Sequence, residues 1–339
     1  MSAGWRLRIE HTTRITYAGP VLRSFNEARM TPLTLPTQTT LDARVTTGPG
    51  ALVRTYNDYW GTRVSAFDLP EPHDALVIEA VAVVETEPFG GIPPAAVRPS
   101  WAELRARAPE GRLLEFLLPT PLTTVTAVVS DAAVAACAEL PPDQAAAAIA
   151  ARVRQHVAYL PGATGARASA QEAWDQGQGV CQDMAHLTAA LLRAAGLPAR
   201  YVSGYLHPDA AAEPGRPAVG QSHAWVEYWA GSWTPLDPTT GAVVGERHVV
   251  VGRGRDYTDV PLFKGVYDGP PDSDMDVTVE VTRLPRRLRL RQQQRQRDRG
   301  HRDQAHEREH RRRAVGGGDG AEQRGGQAAR ADREAERDA

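Results

Sequence analysis

The chain has 339 residues, 42% of them hydrophobic, with 39 Lys and Arg against 41 Asp and Glu. That length and apolar content suit two globular units with real cores, and no run of about 18 apolar residues exists to span a membrane. Cys137 and Cys181 are too few for a disulfide framework, no Cys-x-x-Cys metal spacing occurs, and reduced thiols suit a cytoplasmic address.

In chain order, "WRLRIEHTTRITY" sets Trp5, Leu7, Ile9 and Ile15 on one side and Arg6, Arg8, Glu10 and Arg14 on the other, which predicts a half-buried strand. No apolar segment of a secretory signal precedes it. "ARVTT", "ALVRTYNDYW", "RVSAFDL" and "ALVIEAVAVVET" follow between Pro, Gly and Asp punctuation, so residues 1–90 read as an antiparallel β domain. "PFGGIPPAAVRPS" is a linker or domain edge. Residues 91–140 then form a helical linker region, with "WAELRAR", "LLEFLLP" and "SDAAVAACAEL". Cys137 sits there with no basic neighbour in sequence and is expected to be a small core residue.

Residues 141–283 are the predicted core. "PPDQAAAAIAARVRQHVAYL" opens with Pro and Asp and spaces Ile149, Val153 and Val157 helically. A second helix starts at Cys181, carries Met184, Leu187, Leu191 and Leu192, and stops at Gly196 and Pro198. "ARYVSGYL", "SHAWVEYW" and "WTPLD" are predicted strands, giving an α+β arrangement. Residues 284–339 read as a disordered charged tail, polar and nearly free of large apolar side chains. From residue 283 on there are 17 Arg against 10 acidic residues, net +7, and before it 22 basic against 31 acidic, net −9. A basic tail on an acidic body offers no continuous nucleic-acid surface, so no nucleic-acid or membrane partner is expected.

The chemistry gathers around "GQGVCQDMAH". A thiol attacks carbonyls as thiolate, which unpaired N–H groups at a helix start and a nearby imidazolium both favour. The glycines permit a tight turn, and first-turn amides suit an oxyanion. His223 lies on the "SHAWVEYW" strand and Asp237 ends the next one; if those strands are neighbours, Asp237 reaches His223 and orients it. His186, five residues past Cys181, points to another part of the helix and reads as packing. A Cys181–His186–His223 zinc site lacks a fourth ligand. Asp183 in the first turn is favourable on dipole grounds alone. Trp225 and Trp229 share the His223 face of their strand, as core or as an apolar wall beside the thiol. Gln221 and Ser222 bind substrate or merely begin the strand; Trp174 is a weaker substrate-cleft candidate. Arg255 and Asp256 read as structural. No cofactor and no metal is called for.

"GVCQDMAHLTAALLRAAGLPARYVSGYL", "SHAWVEYW" and "DPTTG", in that order, resemble the core of the transglutaminase-like superfamily. The preceding β region and "VVVGRGRDYTDVPLFKGVYDG" resemble its bacterial branch with its own N-terminal β domain. The resemblance covers residues 5–283 and implies a papain-like α+β fold and acyl transfer through a thioester. It implies Cys181 as nucleophile, His223 as general base and acid, and Asp237 as the orienting carboxylate. The expected substrate is a protein or peptide amide or carboxamide, with hydrolysis favoured over crosslinking; the rival is a binding scaffold on the same fold.

Overall fold

Alternation in the opening segment becomes β1 (Trp5–Val21), whose buried row runs from Trp5, Leu7 and Ile9 into His11 and Thr13. A computed structural model describes residues 4–91, 98–107, 111–165 and 167–285, and no helix among them is long and apolar enough to cross a membrane. After β1 come β2 (Arg23–Ala28), β3 (Gln38–Gly48), β4 (Arg54–Asn57), β5 (Arg63–Leu69) and β6 (His73–Thr86), all antiparallel to their partners. The expected strand 51–60 shrinks to β4, because residues 51–53 form a loop in which Leu52 is exposed while Ala51 and Val53 pack partly buried against the Phe67 cluster.

Helices follow: α1 (Trp101–Arg107), α2 (Ala127–Cys137) and α3 (Pro142–His156). Then come the two-residue β7 (Ala158–Tyr159), α4 (Ala170–Gln176), the two-residue β8 (Gln178–Gly179) and α5 (Cys181–Ala194). Strands β9 (Ala199–Leu206), β10 (Pro217–Trp229), β11 (Trp233–Leu236), β12 (His248–Gly254), β13 (Phe263–Asp268) and β14 (Ser273–Leu284) close the chain.

Helix α5 lays Met184, Leu187, Leu191 and Leu192 against Tyr201 of β9 and Ala224, Val226 and Tyr228 of β10, with Ile149 and Val153 of α3 in the same cluster. Each leucine buried there contributes roughly 2 kcal/mol. Cys137 belongs to that cluster, and burial pushes its thiol pKa up. It is a core residue, as expected.

The large sheet runs β12-β9-β10-β14-β1-β6-β3, with β11 added to β10. Strand β14 was not anticipated, although Val277, Val279 and Val281 alternate along it. It pairs with β1 from Arg6↔Leu284 to Tyr17↔Ser273 and with β10 at Gly220↔Val279. The β region before residue 90 and the sheet of the core are therefore one continuous sheet. A smaller sheet, β13-β2-β5-β4, packs a second apolar cluster around Phe67 and Met30. From residue 286 on, the segment expected to be a disordered tail lies outside the described residues.

Two buried histidines link the fold to pH. His11 bridges the Tyr205 hydroxyl (2.9 Å) and Thr13 Oγ1 (3.0 Å), and burial lowers its pKa to about 4. His186 accepts from the Tyr257 N–H (3.1 Å); burial lowers it to about 4 as well, against the pull of Asp256. Unfolded, both take a proton near 6.5. Between those values the unfolded chain binds more protons, so stability falls as pH drops from 6.5 to 4, by up to about 3 kcal/mol per histidine. Urea midpoints across that range should decline, and those of His11→Gln should decline less. A flat profile contradicts the assignment.

Candidate active site

The turn ahead of α5 is built by its two glycines. Helix α4 starts with a capping box, Ser169 and Glu172, and ends on Gly177 in the left-handed region (φ 63°), which favours glycine. Gly179 has a different reason: a Cβ there would lie 2.8 Å from Asp183 Oδ2. That oxygen folds back to accept from the Val180 N–H (2.8 Å) and the Thr164 hydroxyl (2.5 Å). Asp183 is thus a cap for α5, fully buried, and burial raises its pKa. The first intrahelical bond runs from Met184 N to Val180 O, so the amides of Cys181–Asp183 precede it. Cys181 stands at that end, half-buried and with a free thiol.

His223 reaches the same place from β10. Its Nε2 lies 2.9 Å from Asp237 Oδ2, just past the end of β11. Strands β10 and β11 are neighbours, Val226 facing Leu236, which is why two residues fourteen apart in sequence meet. Asp237 is held by more than the imidazole. Its Oδ1 accepts from the N–H groups of Thr239 (2.9 Å) and Thr240 (3.2 Å), and Oδ2 also from the Thr240 hydroxyl (2.7 Å). His248 Nε2 approaches Oδ2 at 3.4 Å, while its Nδ1 accepts from the Gly245 N–H. That acceptance leaves the proton of neutral His248 on Nε2, facing the carboxylate.

Burial would raise the Asp237 pKa, but hydrogen bonds from His223, His248 and Thr240 hold it well below the usual carboxylate range. Burial likewise would lower His223, but Asp237 and then Cys181 outweigh it and raise the imidazole to about 9. His248 goes the other way, lowered because burial dominates. One carboxylate thus supports a charged histidine and a neutral one. His223, Asp237 and His248 have potential ligand atoms within 4.8 Å of one another. Asp237 already accepts from five donors, so a cation there would have to displace them.

Cys181 and His223 open into one cleft of about 340 Å³, walled also by Tyr159, Gln221, Ser222 and Val277. Gln221 lies in it, accepting from the Tyr159 hydroxyl (3.2 Å). The two tryptophans expected at the substrate do not line it. Trp174 stacks on His156 with ring centroids 3.7 Å apart, because α4 ends before the chain turns back towards Cys181. Trp225 is fully buried behind His223, rings 6.0 Å apart, and faces a separate cavity of about 310 Å³ beside His248, Arg200 and Arg253. Gly204 makes room for it: a Cβ there would lie 2.8 Å from the indole. Its strand period was right, but the apolar wall it makes is on the far side of the imidazole.

His186 packs in the core under Tyr201 and Tyr257, away from the cleft. Asp256 caps the turn at Tyr257, and Arg255 pairs with Asp259. His248, Thr240, Tyr159 and Val277 escaped sequence reasoning. His248 in "GERHVVV" carries no local signal; only the pairing of β12 with β9 brings it to Asp237.

Residues 132–238 match the family model of the transglutaminase-like superfamily, and residues 7–85 that of the bacterial transglutaminase-like N-terminal region. An uncharacterised protein of Mycobacterium leprae is 44% identical over 280 residues, covering 83% of this chain and 99% of the relative. The chain belongs to the transglutaminase-like superfamily. A protein-glutamine gamma-glutamyltransferase of Pseudomonas aeruginosa is 35% identical over 120 residues, which is 33% of this chain and 18% of that one. Among solved structures, a candidate cysteine protease from Cytophaga hutchinsonii superposes with a TM-score of 0.66 at 20% identity, covering 85% of this chain and 93% of that one. That likeness concerns the fold, the α+β architecture with the papain-like core of this superfamily.

Proposed function

We propose that the protein is a cysteine-dependent acyl transferase acting on amide or peptide bonds of protein or peptide substrates, and that water is its usual acceptor. The observation that carries this reading is the placement of His223: its Nε2 is committed to Asp237, and its second interaction is with Cys181 across an open cleft. Nδ1 is then the nitrogen that serves the sulfur. The Cys181 sulfur attacks the carbonyl carbon, and first-turn amides of α5 receive the developing oxyanion. His223 gives its Nδ1 proton to the departing nitrogen as the C–N bond breaks, leaving a thioester and a free amine. Water then attacks the thioester carbonyl and passes a proton to Nδ1. The C–S bond breaks, an acid leaves and the thiolate–imidazolium pair is restored. Asp237 keeps the ring oriented and stabilises its charged form. Water is favoured over an amine because Cys181 is half-exposed to it.

Iodoacetamide labelling at neutral pH should modify Cys181 well before Cys137, which is buried, and His223→Ala should slow Cys181 selectively. Equal, slow labelling of Cys181 in both proteins would favour a non-catalytic scaffold. Turnover should also decline as pH rises through about 9, where His223 loses the proton owed to the leaving nitrogen. Offering a tagged primary amine with glutamine peptides separates the acceptors: released acid or ammonia without tag incorporation supports hydrolysis, and stoichiometric incorporation supports crosslinking.

A further inference from the structure

The walls of the Cys181 cleft share a property that the reaction itself does not require. No Asp, Glu, Lys or Arg is among the described residues lining it. Its titratable groups other than Cys181 and His223 are the phenols of Tyr159, Tyr201 and Tyr257, all of which burial keeps protonated at neutral pH. The carboxylate bonded to His223, Asp237, and the one two residues past Cys181, Asp183, are both buried and hydrogen-bonded. This is unusual beside a chain with 80 charged side chains, 39 basic and 41 acidic.

The remaining lining divides into two kinds. Pro161, Leu262, Val277 and Val279 are apolar, with Val277 44% exposed and so available to a ligand. Gln221 and Ser222 are neutral hydrogen-bonding groups on β10 next to His223. The strand also leaves an edge open there. On the side away from β9, β14 covers β10 only at Pro217–Gly220 and β11 only at Val226–Trp229. Among the described residues no strand covers 221–225 on that edge, which is where an extended backbone can lie against a sheet.

We propose that the cleft selects an extended, uncharged segment of substrate and seats an apolar side chain against Val277, Pro161 and Leu262, with Val277 the residue that sets this preference. This rests on the reading of Cys181 as a nucleophile. Away from the Cys181–His223 pair, a charged side chain seated against Val277, Pro161 and Leu262 loses water and meets no Asp, Glu, Lys or Arg among the described residues of the lining. An aliphatic one covers Val277, and a carboxamide meets Gln221 and Ser222 in kind. Val277 and Val279 of this wall come from β14, the strand that ties the core to the β region, so the N-terminal part of the molecule shapes specificity by holding β14 in register.

Peptidyl acyloxymethyl ketones of equal length, carrying Leu, Gln, Lys or Asp at each of two positions, test this through the rate at which they modify Cys181 by mass spectrometry. The Leu and Gln probes should react at least about tenfold faster than the Lys and Asp probes at one position, reflecting the unpaired charge. Val277→Glu should shift the ratio about tenfold towards the Lys probe, and Val277→Lys by a similar factor towards the Asp probe. Iodoacetamide, which needs no recognition, reports the thiol itself. If iodoacetamide reacts readily while charged and neutral probes react alike, or both variants leave the ratios unchanged, the selectivity is overturned and the nucleophile stands. If Cys181 is inert to iodoacetamide and to every probe, both fall together.

Discussion

Replacing His223 by alanine is expected to lower turnover of an amide substrate by about four orders of magnitude or more. The reason is that in the proposed reaction one group performs two transfers, giving a proton to the departing nitrogen and later taking one from water. Its proton is secured by Asp237 at 2.9 Å, which with Cys181 lifts the imidazole to about 9. Cys181→Ala should cost as much. In that reaction the two act as a unit, so the double variant should be no slower than either single one. Asp237→Asn should fall in between, since it keeps the shape but not the charge that favours imidazolium. Comparing kcat/KM of the single and double variants on a neutral fluorogenic amide provides the measurement. Multiplicative losses in the double variant would mean that sulfur and imidazole do not share a step. The same pair carries a stability signature: His223 is raised above its ordinary 6.5, so its contribution is full below that value and is lost as pH rises through about 9.

Glu227→Ala should destabilise the fold by about 3–5 kcal/mol. Glu227 sits on the face of β10 opposite the α5 contacts and is only 5% exposed. It accepts from Arg200 Nε at 2.6 Å, and from Arg253 through Nε at 3.0 Å and a terminal nitrogen at 2.9 Å. Burial would raise its pKa, but the two guanidinium groups hold it below the usual range, while burial lowers Arg200 to about 10. Alanine would leave two cations facing each other with no anion between them. Glu10→Ala is the control, because its pair with Arg8 is solvated, and should cost less than about 1 kcal/mol. Urea unfolding of the three proteins decides the matter, and a Glu227→Ala midpoint close to the control's would show that Arg200 and Arg253 find other solvation.

The helix bearing Cys181 and the strands at 199–206 and 233–236 were legible because each is bounded by glycine or proline and filled by one hydrophobic period. Helix α4 was missed: it has only seven residues, with Ala170 and Ala173 its buried positions, too few to establish a period. Strand β14 was missed although its valines alternate, because its first half is acidic and exposed and resembles a loop. Its place is set by β1 on one side and β10 on the other, through pairs such as Tyr17↔Ser273 and Gly220↔Val279 that are distant in sequence. Trp225 shows the same limit within the site. Alternation placed it on the face of His223, but which side of the imidazole the indole occupies depends on the gap at Gly204 and on His248.

By itself the sequence determined the family and the α+β class and nominated three side chains for thiol chemistry, because helix starts, strand periods and reactive residue types are local properties. Only the tertiary structure decided that Asp237 serves two histidines, that the two candidate tryptophans stand outside the cleft, and that no Asp, Glu, Lys or Arg is among the described residues lining it. Those features depend on strands distant in the chain pairing in one register, and pairing partners are chosen by the whole packed sheet rather than by any segment within it.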